Sequence, residues 1–489
     1  MKLSELLKSE LYCSATNISN INISSITTNV SEIDENTLFV FLKSIKFDIN
    51  KIITTVLNKQ PAAIICEDDL EIKSDSVPII TSKNTRRLLA FIYSRFYEID
   101  YEKTKFIAVT GTNGKTTTAT MLTHILSHSG KKVGFIGTGK ILIDGQLITE
   151  TSYTMTTPDP VYLYSVIKEM QNYGCKYIVM EVSSHALYFE KVAPIPFYIS
   201  IFTNLSSEHL DFHSSIDEYY NVKMRLFEQT KFGIFNLDDA YSRKAYETAS
   251  CKKASVGIIN KADSVADNIK INRLYGSEYI YREKNRLFKI NLAIGGDYNI
   301  YNSLMATQAA LRLGISTANI KSAYNTLKSI DGRFEIIEND ITVIIDYAHT
   351  EFAFENLLRF LFSIKNQEQK LICVFGCGGE RDKLKRPKMA AAAEKYSDFV
   401  IVTSDNSRSE SEIEIIQDIL QGFKDTSNRV VITSRDSAIE YAILSAKSND
   451  IVAIIGKGHE RYNYDKNGVH YFDERKCINK AFRKRRGNK

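Results

Sequence analysis

No stretch of the sequence approaches the roughly 18 consecutive apolar residues that a membrane-spanning helix needs. The start, MKLSELLKSELYCS, also lacks the apolar centre of a secretory signal. The expectation is a soluble, cytoplasmic protein with no membrane insertion. Cysteine is sparse: seven residues, scattered and odd in number, speak against a disulfide framework. Cys373 and Cys377 in CVFGCGG have a spacing that could suit a metal, but no second pair stands nearby, so buried or glycine-loop thiols are the better reading. A strong charge imbalance is missing too. With 63 basic and 58 acidic residues, the net +5 is too mild to argue for nucleic acid, though it is compatible with phosphorylated ligands. The basic ending KAFRKRRGNK predicts a solvated, frayed helix end. Neither internal repeats nor a low-complexity linker is present.

What is present is a long alternation of apolar strands and helical segments. A chain of 489 residues exceeds one ordinary core, so two to four domains are expected. TLFVFL, AAIICE and VPIIT predict strands and INKIITTVLNK and TRRLLAFIYSRFY predict helices, together a small α/β module. From KFIAVTGTNGKTTT onward, VGFIGT, YIVMEVSS, YISIFTNL and FGIFNLD predict a doubly wound sheet, followed by a hairpin-like stretch near residues 268–296. A third α/β segment has strands at TVIIDYAH, LICVFGC, FVIVTSD, RVVITS and IVAIIGKG. The expected units are residues 1–100, 101–332 and 333–489.

In TGTNGKTTT, Gly111 and Gly114 permit a tight turn after a strand, so that backbone N–H groups can face phosphate oxygens at a helix N-terminus. Lys115 would reach the outer phosphates, and the Thr116 hydroxyl would face Mg2+. Val109 stands where the general G-x-x-x-x-G-K-[ST] pattern has its first glycine. Glu181 in EVSSHAL and His209 in NLSSEHLDFH would leave strands at the same sheet edge, where a carboxylate and an imidazole can hold Mg2+ against a triphosphate. Each also has a core or loop explanation. Lys223, on the amphipathic helix EYYNVKMRLFE, is by composition a surface charge. The loop TSDNSRSES at 403–411 follows a strand, and its arginine suggests an anionic partner; its bland reading is a helix-capping loop.

Together these motifs resemble the Mur ligases, and among them the MurE type, which adds the third residue of the peptidoglycan peptide. The resemblance runs through TGTNGKTT, TTPDP, EVSSHAL, NLSSEHLDFH, DGR, DYAHT, GCGGERDKLKRP and GKGHE in that order. It implies a three-domain α/β architecture: a uridine-nucleotide domain, a central P-loop ATPase, and a C-terminal Rossmann-like domain for the incoming amino acid. It assigns ATP to Gly111, Thr112, Asn113, Gly114, Lys115, Thr116 and Thr117, with Asn302, Arg333, Asp346 and His349 across the domain junction. Mg2+ falls to Thr116, Glu181, His209 and a carbamylated Lys223, the last three and Lys115 serving catalysis. The UDP-MurNAc-dipeptide is assigned to Thr156, Thr157, Ser184 and Lys191. The amino acid is assigned to Arg381, Asp405, Asn406, Ser407, Arg408, Gly456 and Glu460. A monomer acting on small molecules, with no nucleic-acid partner, is expected.

Several positions depart from the family pattern. Val30 and Ser31 stand where Ser-Arg is usual, Glu208 where Asp precedes His209, Lys191 where arginine is frequent, and Glu351 where proline follows DYAHT. The diaminopimelate enzymes carry a DNPR loop, and here it is Asp405-Asn406-Ser407-Arg408. Loss of the proline frees a φ angle before the arginine. Ser409 and Glu412 fit an S-x-x-E capping box that would restore order beside a helix N-terminus. The implied substrate is meso-diaminopimelate; L-lysine or L-ornithine, a folylpolyglutamate-synthase-like ligase and a non-catalytic nucleotide-binding scaffold are the alternatives.

Overall fold

The computed structural model describes residues 1–7, 18, 20–43, 49–67, 70, 72, 74–149, 155–208 and 212–487. Three principal sheets follow one another along the chain. The first has four parallel strands in sequence order, Ser25–Thr27, Thr37–Val40, Ala63–Glu67 and Ile79–Ser82, with helices Ile49–Asn58 and Thr85–Phe96 after the second and fourth.

The second sheet has eleven strands. Its parallel centre is ordered Lys252–Gly257, Phe232–Asn236, Phe197–Phe202, Lys105–Thr110, Tyr177–Glu181, Val133–Gly137. Hairpin strands extend both edges: Lys140–Ile143 and Gln146–Thr149 on one, Ser264–Ile271, Ser277–Glu283 and Arg286–Leu292 on the other. The central strands are buried on both faces, so they are apolar throughout rather than alternating. Each such Ile or Val side chain contributes about 1.5–3 kcal/mol. From Lys105–Thr110 the chain first builds to one side of that strand and then crosses to the other. The carboxyl end of the strand is therefore a switch point, where a crevice opens. Gly111–Gly114 lies there.

The third sheet is ordered Glu335–Glu338, Thr342–Asp346, Ile451–Ile455, Leu371–Phe375, Phe399–Val402, Arg429–Val431, parallel except for its first strand. Its carboxyl edge faces that of the second sheet. The two are joined at Gly332, whose φ of 63° suits glycine and whose Cα abuts the Gly458–His459 backbone. Any side chain there would drive the Gly456–Glu460 loop away.

Two expectations fail locally. The C-terminal helix, Glu474–Gly487, is not solvated throughout: Arg485 is buried, donates to the carbonyls of Ile443 and Ala446, and pairs with Asp340 at 2.9 Å. It satisfies carbonyls at the end of helix Arg435–Ser445 that would otherwise lack partners. Nor does the Ser409–Glu412 capping box form. The helix is Glu412–Leu420, with Ser411 at its N-cap and no side-chain cap, because the Ser409 hydroxyl donates instead to Glu380. Among the described residues no helix is long and apolar enough to cross a membrane.

Candidate active site

The loop after Lys105–Thr110 turns through Gly111 (φ 142°) and Gly114 (φ 82°) into helix Lys115–His128. Thr203 and Asn204 press against Gly111, and Asn302 presses against Gly114, so neither position has room for a Cβ. Asn302 accepts from the Thr118 hydroxyl at 3.2 Å and thereby props the loop from beneath. The Lys115 ammonium folds over the loop, donating to the carbonyls of Gly111 (3.1 Å) and Thr112 (2.9 Å). Burial holds it below the ordinary lysine range, opposed by Glu181.

Glu181, at a strand end and 0% exposed, accepts from the Thr116 hydroxyl (3.0 Å) and from the Thr138 amide (3.0 Å) and hydroxyl (3.1 Å). Arg333, from across the junction, donates to the same Thr116 hydroxyl at 3.1 Å and stacks on Tyr347 at 4.3 Å. Thr350 closes a second bridge to Asn113 Oδ1 at 3.2 Å. Two buried donors along this wall, Asn113 Nδ2 and Arg333 Nε, lack a hydrogen-bond partner among the described residues. Both residues line a cavity of about 440 Å³ with Lys115, Thr116, Thr117, Asp346, His349 and Arg381. Unpaired buried N–H groups are costly, so their convergence fits an anionic ligand such as a triphosphate.

Lys223 is not a surface charge. It is 1% exposed and donates to the Gly111 carbonyl (3.1 Å) and the Thr110 hydroxyl (3.5 Å). Burial, and then repulsion from Lys115, push its amine well below the usual lysine range, and among the described residues no carboxylate pairs with it. His209 lies outside the described residues. Among the described residues no three His, Cys, Asp or Glu side chains converge as a metal-binding group. The Thr116 hydroxyl and Glu181 carboxylate are adjacent hard oxygens, a set that suits Mg2+ held jointly with phosphates.

Thr156 contacts the Thr138 hydroxyl at 3.2 Å. Thr157 donates to the Glu181 carbonyl at 2.9 Å and accepts from the Ser183 amide, beside Ser184 at the start of the short helix Ser184–Tyr188. Lys191 pairs with Asp159 at 2.7 Å and reaches the Thr157 carbonyl at 3.5 Å, so this group borders the Glu181 end of the cavity. Asp346 accepts from the amides of Phe334 and Ala348, both at 2.7 Å, and shapes the junction from behind. His349 is partly buried, its pKa pushed down to about 3 by desolvation and the nearby Lys385. Its imidazole is neutral at neutral pH.

Arg408 has φ 53° and donates to the carbonyls of Gly379 (2.7 Å) and Asn406 (3.3 Å). Burial and then the neighbouring Arg381 lower its pKa, and neither arginine is ion-paired among the described residues. Ser407 is buried and Asp405 partly buried, and Gly456 (φ 123°) packs on the Asp405 carboxylate. Glu460 accepts from Asn406 Nδ2 (2.8 Å) and from the Tyr347 hydroxyl (3.1 Å). Thus two guanidinium groups without an ion-pair partner among the described residues stand on the same edge as the Glu460 carboxylate. Cys373 and Cys377 are buried; desolvation raises Cys373 and pushes Cys377 up to about 12.

Sequence reading missed Thr138 and Lys385. Lys385 is buried and spans the junction, donating to the His349 carbonyl (2.8 Å) and Glu208 (3.4 Å). Its place inside GCGGERDKLKRP was the available signal.

Comparison with known proteins decides the family. The Mur ligase middle domain matches residues 109–310, and the Mur ligase glutamate ligase domain matches residues 332–458. The UDP-N-acetylmuramoyl-L-alanyl-D-glutamate--2,6-diaminopimelate ligase 1 of Clostridium acetobutylicum is 38% identical over 487 residues, 98% of each chain. The chain is a Mur ligase. The diaminopimelate ligase of Clostridioides difficile is also 38% identical to this Mur ligase, over 99% of this chain and 100% of its own. A solved 2,6-diaminopimelate ligase superposes with a TM-score of 0.69 at 26% identity, covering 96% of this chain and 97% of that one. The MurF ligase of Thermotoga maritima in complex with ADP shares the Mur ligase fold, with a TM-score of 0.61 at 18% identity over 95% of this chain and 98% of that one.

Proposed function

We propose that the protein uses ATP to join meso-diaminopimelate to UDP-MurNAc-L-Ala-D-Glu, acting as a monomer in the cytoplasm on small-molecule substrates. Residues 1–100 hold the uridine nucleotide, 101–332 the ATP, and 333–489 the amino acid. The observation that carries the choice of amino acid is the pair Arg381 and Arg408, without an ion-pair partner among the described residues, on the same edge as Glu460. A guanidinium suits the extra carboxylate of diaminopimelate, and Glu460 suits an ammonium. Lysine would leave the guanidinium unpaired.

The D-glutamyl γ-carboxylate attacks the γ-phosphorus of ATP, the bond to ADP breaks, and an acyl phosphate forms. The amine of the incoming amino acid then attacks the acyl carbon, forming the amide, expelling phosphate and losing a proton. Lys115 and the loop amides spread the transferred charge, while Asn113 and Arg333 give their unpaired N–H groups to the phosphates. Mg2+, held by Thr116, Glu181, His209 and a Lys223 carbamate, would neutralise phosphate charge. Thr156, Thr157, Ser184 and Lys191 orient the dipeptide. Closure of residues 333–489 onto the central sheet excludes water.

ATP-dependent phosphate release with UDP-MurNAc-L-Ala-D-Glu, run separately with meso-diaminopimelate, L-lysine and L-ornithine, tests the reaction. Release is expected with diaminopimelate; silence with all three would defeat the ligase reading. A depressed lysine pKa supplies the neutral amine that CO2 needs. With 13C-labelled bicarbonate, a carbamate carbonyl resonance is therefore expected in the native protein and lost in Lys223→Ala. A signal unchanged by that substitution would contradict the carbamate.

A further inference from the structure

Strand Ile451–Ile455 ends at Gly456, and the next side chain, Lys457, is wholly buried, 0% exposed. Its ammonium donates to Asn406 Oδ1 and to the Tyr462 carbonyl, both at 2.8 Å. It lies 3.7 Å from the Asp405 carboxylate and 3.6 Å from that of Glu460. Three segments therefore meet on one cation: the loop after Phe399–Val402, the loop after Ile451–Ile455, and the hairpin of Tyr462–Asp465 with Gly468–Tyr471.

The consequence for Asn406 is orientational. Its carbonyl oxygen is taken by Lys457 and by the Tyr464 amide at 3.1 Å, so its NH2 must point the other way, where it donates to Glu460 Oε2 at 2.8 Å. The Tyr347 hydroxyl holds the other Glu460 oxygen. Arg408 is tied to the same hairpin, its amide donating to the Tyr464 carbonyl at 2.9 Å. The loop that lacks a proline is thus ordered through its neighbour Asn406. Without the cation, the two carboxylates that flank Asn406 would lose the ammonium that lies within 4 Å of both. Although burial pushes the Asp405 carboxyl up, Lys457 and then Arg435 leave it below its usual range.

We propose that Lys457 is the positioning residue of the amino-acid subsite: it orients the Asn406 amide, and through it Glu460, at a fixed separation from Arg408. Lys457 does not touch the substrate. It sets the spacing between the group that takes the substrate's ammonium and the group that takes its carboxylate. This rests on the reading of that subsite given above, and deepens it.

Steady-state kinetics of full-length Lys457→Met, with hydroxylamine trapping of the acyl phosphate as a parallel readout, separates positioning from general structure. The KM for meso-diaminopimelate is expected to rise about 10- to 100-fold, with KM for ATP and for UDP-MurNAc-dipeptide held within about twofold. Hydroxamate formation, which needs no amino acid, is expected to persist. Lys457→Gln, which keeps a donor for Asn406 but no charge, should fall between wild type and Lys457→Met. An unchanged diaminopimelate KM, or an equal loss in all substrates and in hydroxamate, overturns the proposal. Should Lys457→Met not fold, Asn406→Ala decides: the same selective rise supports it, and an unchanged KM or a uniform loss overturns it. A wild-type protein that forms no hydroxamate would overturn the ligase reading itself, and the proposal with it.

Discussion

Lys115→Met is expected to lower kcat for phosphate release by about 10²–10³-fold or more, the cost of removing one preorganised donor from a developing charge. The structure gives the reason in the partners Lys115 has at present. Its ammonium rests on two loop carbonyls, Gly111 and Thr112, in a site whose burial disfavours the cation. An arriving polyphosphate supplies the missing negative charge, and the lysine meets it at the mouth of a helix N-terminus already biased toward anions. Methionine keeps most of the stem and removes only the charge, so the melting temperature should change little. Retention of near-wild-type kcat in a folded Lys115→Met would remove the phosphate role.

Arg408→Ala should collapse amino-acid discrimination. The kcat/KM for meso-diaminopimelate is expected to fall by about 10²-fold or more, in line with the 2–5 kcal/mol lost when one partner of a buried charge pair is truncated. Activity with L-lysine, which has no far carboxylate, should move far less, so the ratio of the two substrates narrows. Arg408 suits this role because its guanidinium is half-buried, bonded to neutral carbonyls, and beside Arg381, with neither arginine ion-paired among the described residues. A variant that keeps full diaminopimelate activity would shift the assignment to Arg381.

The parts of this site that sequence made legible are those in which local pattern and chemistry coincide. The run FIAVTGTNGKTTT is strand, loop and helix within one stretch, and the apolar strands of both large sheets announce their carboxyl edges. Lys223 was different. Its helix is amphipathic, but which face meets the phosphate loop depends on residues more than a hundred positions away. The junction is equally remote, Arg333 and Thr116 being 217 residues apart. The capping box failed for a related reason: Ser409 had a competing acceptor, Glu380, brought in from another loop. Lys457 lies inside the motif GKGHE, yet its burial follows from Asn406, 51 residues earlier, and no local periodicity signals that pairing.

The most direct test of the central claim is the mass of the product. The protein would be given UDP-MurNAc-L-Ala-D-Glu, Mg2+, ATP and equimolar meso-diaminopimelate, L-lysine and L-ornithine in one mixture. A nucleotide product heavier by one diaminopimelyl residue, formed in step with ADP, is the predicted result. A product carrying lysine or ornithine in preference, or no product while ATP remains intact, would contradict it.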